Sequence, residues 1–309
     1  MANNKRDIDN ELALRFFEQE LENFKTIAKH IKPLSGEIPE INSIDIYGES
    51  IPFNGVAGGD HIIYIDFKKR CDLDKRIGEA KKSNRMDLVE KLELNKRRAG
   101  ILIADAAGHN ITDALLVAML HQAFLTGAQY EMREKGEITT ELFEILNNRF
   151  LHSSSLAKFI TLLYGEIYED GKFRFINAGH PDPVVFSNKF NKLFKISFRH
   201  MIHFPPIGTL PSKDDVDSGR KHSRLGYKKK YAANEIKLMG NGDILLLYTD
   251  GFSEHNQDLE NFYFPYKLEE TLTKIKAKPA KEIYFLLKED FLNFAPTADD
   301  ITFVVIKKL

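Results

Sequence analysis

Two apolar runs joined by Glu169-Asp170-Gly171 constrain the fold of this 309-residue chain more than any other feature. Phe159–Tyr168 and Lys172–Asn177 read as strands. An Asp-Gly pair between two strands signals a tight hairpin, because Gly supplies the left-handed conformation that such turns need. A hairpin makes its strands antiparallel. Two helices precede it, Ile111–Ala128 and Ile138–Phe150, and a third follows from Pro279 to about Phe294. Further short runs read as strands: Ile41–Tyr47, His61–Phe67, Gly100–Ala104, Pro183–Phe186, Leu193–Phe198, Ile244–Tyr248 and Ile301–Ile306. Hairpin-joined strands grouped between paired helices predict an α+β fold rather than a doubly wound parallel sheet.

Composition narrows the function classes. With 44 Lys+Arg against 45 Asp+Glu the net charge is −1, which argues against nucleic-acid binding by bulk electrostatics. Cys71 is the only cysteine, so no internal disulfide forms. The polar N-terminus lacks a signal-peptide core, and the longest purely apolar run, Ala114–Leu120, is too short for a bilayer. The expectation is a soluble cytoplasmic protein with no membrane partner. The charge balance itself is a compromise. Residues 68–99 hold 12 Lys/Arg against 6 Asp/Glu, and residues 212–234 hold 7 against 3, so the remainder is acidic.

The aspartates carry the chemistry. Asp60 follows Gly58-Gly59, Asp105 ends a strand before Ala106-Ala107-Gly108, Asp250 ends a strand before Gly251, and Asp299-Asp300 precede the last strand. One Asp-Gly after a strand is ordinary turn chemistry. Four such sites in one chain point to a cluster if the strands are neighbours. Converging carboxylates repel and resist ionisation unless a cation neutralises them. Hard oxygen ligands suit Mg²⁺ or Mn²⁺, whereas zinc is disfavoured because no His/Cys set has ligand spacing.

In order, Gly58-Gly59-Asp60, Ala104-Asp105-Ala106-Ala107-Gly108-His109, Asn177-Ala178-Gly179-His180-Pro181, Tyr248-Thr249-Asp250-Gly251 and Ala298-Asp299-Asp300-Ile301-Thr302 resemble the motifs of the SpoIIE/RsbU type of PPM (protein phosphatase 2C-like) serine/threonine phosphatases. Pro205-Pro206-Ile207-Gly208 is similar to the Pro-x-Gly turn of that family. The resemblance covers roughly residues 36–309. It implies a four-layer αββα sandwich, two antiparallel sheets flanked by helices, behind an N-terminal helical linker at 1–35. It implies two or more Mn²⁺ or Mg²⁺ ions held by Asp60, Asp105, the Ala106 carbonyl, Asp250 and Asp299, with Asp300 in an accessory role. The implied reaction is single-step hydrolysis of phosphoserine or phosphothreonine in a protein by metal-activated water. The implied setting is bacterial partner switching, with a phosphorylated STAS-type anti-sigma antagonist as substrate. A pseudophosphatase that only binds its partner, and a phosphoester hydrolase of small molecules, are the alternatives.

Three features stay open on the residues alone. Leu14, Phe17, Leu21, Phe24, Ala28 and Ile31 form a heptad seam on a helix over 9–32, ended by Pro33 and Gly36. It either docks on its own domain or serves a regulatory protein or a homodimer. The basic insertion 68–99 reads as a helical hairpin with Leu73, Ile77, Leu88 and Leu92 near one face, either solvated and self-paired, docking an acidic partner, or meeting nucleic acid or a membrane surface, the last unsupported by aromatic interleaving; the basic insertion 212–234 reads as a flexible loop. His109 and His180 lie in motifs and either donate protons or brace loop backbone.

Overall fold

The computed structural model describes residues 2–31, 37–53, 58–108, 111–153, 159–196, 201–213, 225–238 and 240–309. Asn110 and His109 lie outside them, as do 214–224 of the second basic insertion. In chain order the elements are α1 Ala2–Ile31, β1 Ile44–Ile51, β2 Asp60–Asp66, α2 Phe67–Arg70, α3 Leu73–Lys82, α4 Met86–Asn95, β3 Arg98–Ala106, α5 Ile111–Glu134 and α6 Thr140–Ser153. Then follow β4 Ile160–Tyr168, β5 Lys172–Ala178, β6 Val184–Ser187, β7 Lys192–Lys195, β8 Asn234–Lys237, β9 Ile244–Tyr248, α7 Asp250–Ser253, α8 Leu268–Ile275, α9 Ala280–Phe294 and β10 Ile301–Lys308.

Among the described residues the strands form two five-stranded sheets, ordered β1-β10-β9-β6-β7 and β2-β3-β4-β5-β8, and these strands all pair antiparallel. The hairpin forms as expected, with Gly171 at φ +86° between β4 and β5. Side chains alternate between two cores, as the pleat requires. Ile62, Tyr64, Ile101, Ile103, Leu245, Leu247, Val304 and Ile306 fill the space between the sheets. Their neighbours Ile63, Ile65, Leu102 and Ala104 face the helices α3–α6. On the other sheet Leu246, Tyr248, Phe303 and Val305 face α8 and α9. The molecule is therefore four layers, helices–sheet–sheet–helices. Both faces of each central strand are buried, which is why those strands read as continuous apolar runs.

Several local expectations need correction. The hairpin α3–α4 is not a solvated appendage. Its charged face is exposed, but Leu73, Ile77, Ala80, Leu88, Val89 and Leu92 are buried in the core that also holds Phe67 and Met132. The described flanks of 212–234 are anchored rather than loose. Lys228, its side chain 2% exposed, pairs with Glu144 at 2.9 Å, bonds Ser212 Oγ and sits 3.5 Å from the centre of the Tyr231 ring. The last residue of that stretch opens strand β8, and α8 is a further helix beyond those expected. The α1 seam is only partly covered: Leu14 and Phe17 are exposed, while Leu21 and Phe24 are half-buried. Among the described residues no helix is long and apolar enough to cross a membrane.

Candidate active site

Sheet register brings the aspartates together. Asp60 opens β2 and stands directly opposite Asp105 at the end of β3. β9 and β10 pair antiparallel, so the end of β9, which leads into Asp250, meets the start of β10, preceded by Asp299-Asp300. All five carboxylates therefore lie at one edge of the sandwich. They feel one another: the charges of Asp250, Asp299 and Asp300 act on Asp105, and those of Asp105 and Asp300 act on Asp60.

Burial dominates their ionisation. It drives Asp60 well above the usual carboxylate range, with the Asp105 charge adding to the effect. Asp105 is pushed up to about 7, first by burial and then by the charge of Asp250. Asp250 is raised by burial and by Asp299. Asp300 is raised by burial, against the pull of the amides it accepts from.

Each carboxylate has a distinct set of partners. Thr249, fully buried, donates its hydroxyl to Asp60 Oδ2 at 2.7 Å and accepts the Thr302 amide at 3.0 Å. Asp300 accepts the amides of Phe53 and Gly59, each at 2.7 Å, so its carboxylate ties the β1–β2 connection to the start of β10. Asp299 accepts the Asp300 amide at 2.8 Å. The Ala106 amide bonds the Gly59 carbonyl at 3.0 Å. Gly59 matters because of what it leaves open: a Cβ there would lie 2.5 Å from the Ala106 carbonyl oxygen and also strike that of Gly108. A concavity lined by two carbonyl oxygens and by Asp105 is thereby kept clear.

Among the described residues no set of three or more His, Cys, Asp or Glu side chains closes into a ligand group that could hold a metal ion. The donor chemistry nonetheless fits a hard divalent cation. The groups present are carboxylates that burial discourages from ionising, together with backbone carbonyls, and a cation would supply the charge they lack.

Two residues were not legible as site members. Asp113, fully buried in the first turn of α5, acts electrostatically on Asp105, and a Cβ on Gly108 would sit 2.6 Å from its carboxylate. Its signal was an acid three residues after Asn110, which reads as ordinary helix-dipole complementation. Thr249 was quoted in a motif without a role. His180 resolves toward bracing. It is buried, contacts Thr161 Oγ1 at 3.0 Å, and has its backbone held at both ends by Asn177. Burial lowers its imidazole to about 3, so it stays neutral and gives up no proton at ordinary pH. Gly179 beside it, at φ +70°, abuts Pro206, which packs two of the motifs against each other. His61 turns away from the aspartates to contact His121 on α5 at 2.8 Å.

With this geometry in view, comparisons place the chain. The sequence model of Stage II sporulation protein E (SpoIIE) matches residues 95–308. Phosphoserine phosphatase RsbP of Bacillus subtilis (strain 168) is 26% identical over 168 residues, 53% of this chain and 36% of that protein. The chain thus spans about a third of the length of that curated relative. The SiaA-PP2C domain of Pseudomonas aeruginosa superposes with a TM-score of 0.62 at 16% identity, over 96% of this chain and 98% of that one. The RsbU and RsbW domains of Rv1364c from Mycobacterium tuberculosis give 0.60 at 18%, over 89% and 64%. The PP2C phosphatase domain of SpoIIE from Bacillus subtilis, with a fragment of its regulatory domain, gives 0.58 at 16%, over 85% and 63%. At these identities the structural likeness speaks for the fold, and the family match runs from before β3 to the penultimate residue, taking in four of the five clustered aspartates. The chain belongs to the SpoIIE family and has the fold of the PP2C phosphatases.

Proposed function

We propose that this protein is a Mn²⁺- or Mg²⁺-dependent phosphatase of phosphoserine or phosphothreonine in proteins. The observation that carries the reading is the convergence of Asp60, Asp105, Asp250, Asp299 and Asp300 on one edge, where burial raises four of them. Asp60, Asp105, Asp250 and Asp299, with the Ala106 carbonyl, would hold the cations. When bound, these supply a nucleophilic water at neutral pH and charge stabilisation for the phosphoryl oxygens. The chain's own residues do the rest. Thr249 fixes the rotamer of Asp60 and favours its ionised form. Asp300 ties the Gly59 amide to that of Phe53, which keeps Gly59 against Ala106. Asp113 sets the charge behind Asp105.

The reading divides the chain into a helical segment, 1–35, and a phosphatase domain, 36–309. Regulation falls to the helical segment, whose exposed Leu14 and Phe17 would be covered by a regulatory protein or a second copy. The substrate class in this reading is a phosphorylated STAS-type antagonist acting in partner switching; the name of the relative, Phosphoserine phosphatase RsbP, supports phosphoserine as the group cleaved.

The test is release of phosphate from a phosphoserine STAS protein with and without Mn²⁺. Release only with the metal is expected. Calorimetric Mn²⁺ binding without hydrolysis of that protein or of an aryl phosphate would instead make the chain a binding module. Thr249 gives a second check. Thr249→Val keeps the shape but removes the Thr249 hydroxyl from Asp60, and is expected to weaken Mn²⁺ affinity and activity by roughly 10–100-fold. Thr249→Ser should restore both. An unchanged calorimetric affinity in the Val variant would remove Thr249 from the site.

A further inference from the structure

The α3–α4 hairpin leaves a cleft that the phosphatase reading does not use. Its first chamber, of about 500 Å³, lies between the hairpin and the C-terminal end of α5. Five cations line it, Arg70, Lys75, Arg76, Arg85 and Arg133, against two acids, Asp72 and Glu79. Three of the cations have partners: Arg70 faces Glu37 at 3.6 Å, Arg85 bonds the Glu134 carbonyl, and Arg133 bonds the Glu134 carboxylate. Lys75 Nζ and the Arg76 guanidinium have no ion-pair partner among the described residues. Asp72 is engaged in capping α3, accepting the Lys75 amide at 3.0 Å.

A second chamber of about 330 Å³ shares Arg70, Cys71 and Met132 with the first. Ile65, Phe67, Leu125, Ala128 and Ile138 line it together with the polar Gln122, Thr126 and Gln129. The combination is a cationic mouth beside a hole of mixed, slightly apolar lining, large enough for one bulky side chain. The place is remote from the aspartates. β2 carries Asp60 at one end and leads into α2 at the other, seven residues and roughly 20 Å away.

We propose that this cleft docks an acidic peptide segment of a partner protein, with one apolar anchor side chain entering the second chamber. Charge complementarity selects the occupant: a surplus of cations around a concave mouth attracts carboxylates, and the apolar groups of the second chamber reward an anchor that a free inorganic anion lacks. The inference stands independently of the hydrolytic reading.

The probe is a fluorescein-labelled amphipathic peptide with Glu on one face and a central Leu-Phe pair, followed by anisotropy with the full chain. Binding is expected, and Lys75→Glu/Arg76→Glu should weaken it tenfold or more. The same peptide with Lys in place of Glu should not bind. Cys71, the only thiol in the chain, borders both chambers and offers a second readout. Saturating acidic peptide should slow its maleimide labelling in the wild type and not in the variant. Hydrolysis of an aryl phosphate should be equal in the two proteins, which separates this result from the fate of the phosphatase reading. Equal peptide affinity in wild type and variant would overturn the proposal. So would no binding at millimolar peptide, or displacement of the peptide by ATP or inorganic phosphate at concentrations below its own, which would mark a small-anion site.

Discussion

Asp105→Asn is expected to lower Mn²⁺-dependent hydrolysis of an aryl phosphate by ~10³-fold, the scale on which a preorganised charge contributes to a transition state. The same variant should be more stable than the wild type in metal-free buffer at pH 8. The folded state holds Asp105 up at about 7, against an ordinary value of 3.8. A raised carboxyl stabilises the fold while it remains protonated, and that contribution is lost as pH rises from about 4 through 7. Asn cannot ionise, so it avoids the loss. The gain should be on the order of 2–4 kcal/mol at pH 8 and vanish below pH 4. Thermal melts in EDTA at pH 4.5 and 8 measure it. Saturating Mn²⁺ should reverse the order, because only the wild type gains full binding energy. Full activity in the Asn variant would remove Asp105 from the chemistry. A pH-independent stability difference would remove the carboxylate cluster as its cause.

Arg98→Met is expected to cost about 3–5 kcal/mol of stability, because it strands a buried carboxylate. Arg98 begins the strand that Asp105 nearly ends, and its side chain is 2% exposed. It meets Glu166 at 2.7 Å, the Tyr168 hydroxyl at 2.8 Å and Asn95 Oδ1 at 2.8 Å, with the Phe67 and Tyr168 rings each 5.6 Å from the guanidinium carbon. Burial raises Glu166, and the Arg98 charge pulls it back. Without Arg98 the carboxyl must protonate or drag water into the core. Arg98→Met/Glu166→Gln should recover most of the loss, since no charge is then left alone. Denaturant midpoints at constant m-value test both. A cost below about 1 kcal/mol for the single variant would mean that the pair contributes little. The folded fraction should keep its kcat, since the pair lies at the far end of β3 from the aspartates.

Much of the architecture was readable locally. The Asp170-Gly171 turn declared its hairpin, and strands buried on two faces declared themselves as apolar runs. Elements with weaker local signals escaped. β8 is a four-residue edge strand, Asn234–Lys237, with one buried residue, and α8 spans two turns. The apolar face of the α3–α4 hairpin, with Leu73, Ile77, Leu88 and Leu92, was readable, but that it packs into the domain core rather than being solvated depends on α5 and β2, which lie outside any local window.

The sequence by itself determined which carboxylates stand at strand ends beside small residues. Carboxylates beside small residues at strand ends are a local pattern, and so are the motifs that surround them. The tertiary structure decided how those carboxylates are used. Thr249 reaches Asp60 across 189 residues, and Asp300 reaches the Gly59 amide across 241. Such partners follow from strand register, and register is settled by packing two sheets and their helices at once. No window of neighbouring residues contains that information, because the free energy that selects it comes from burial shared by the whole sandwich.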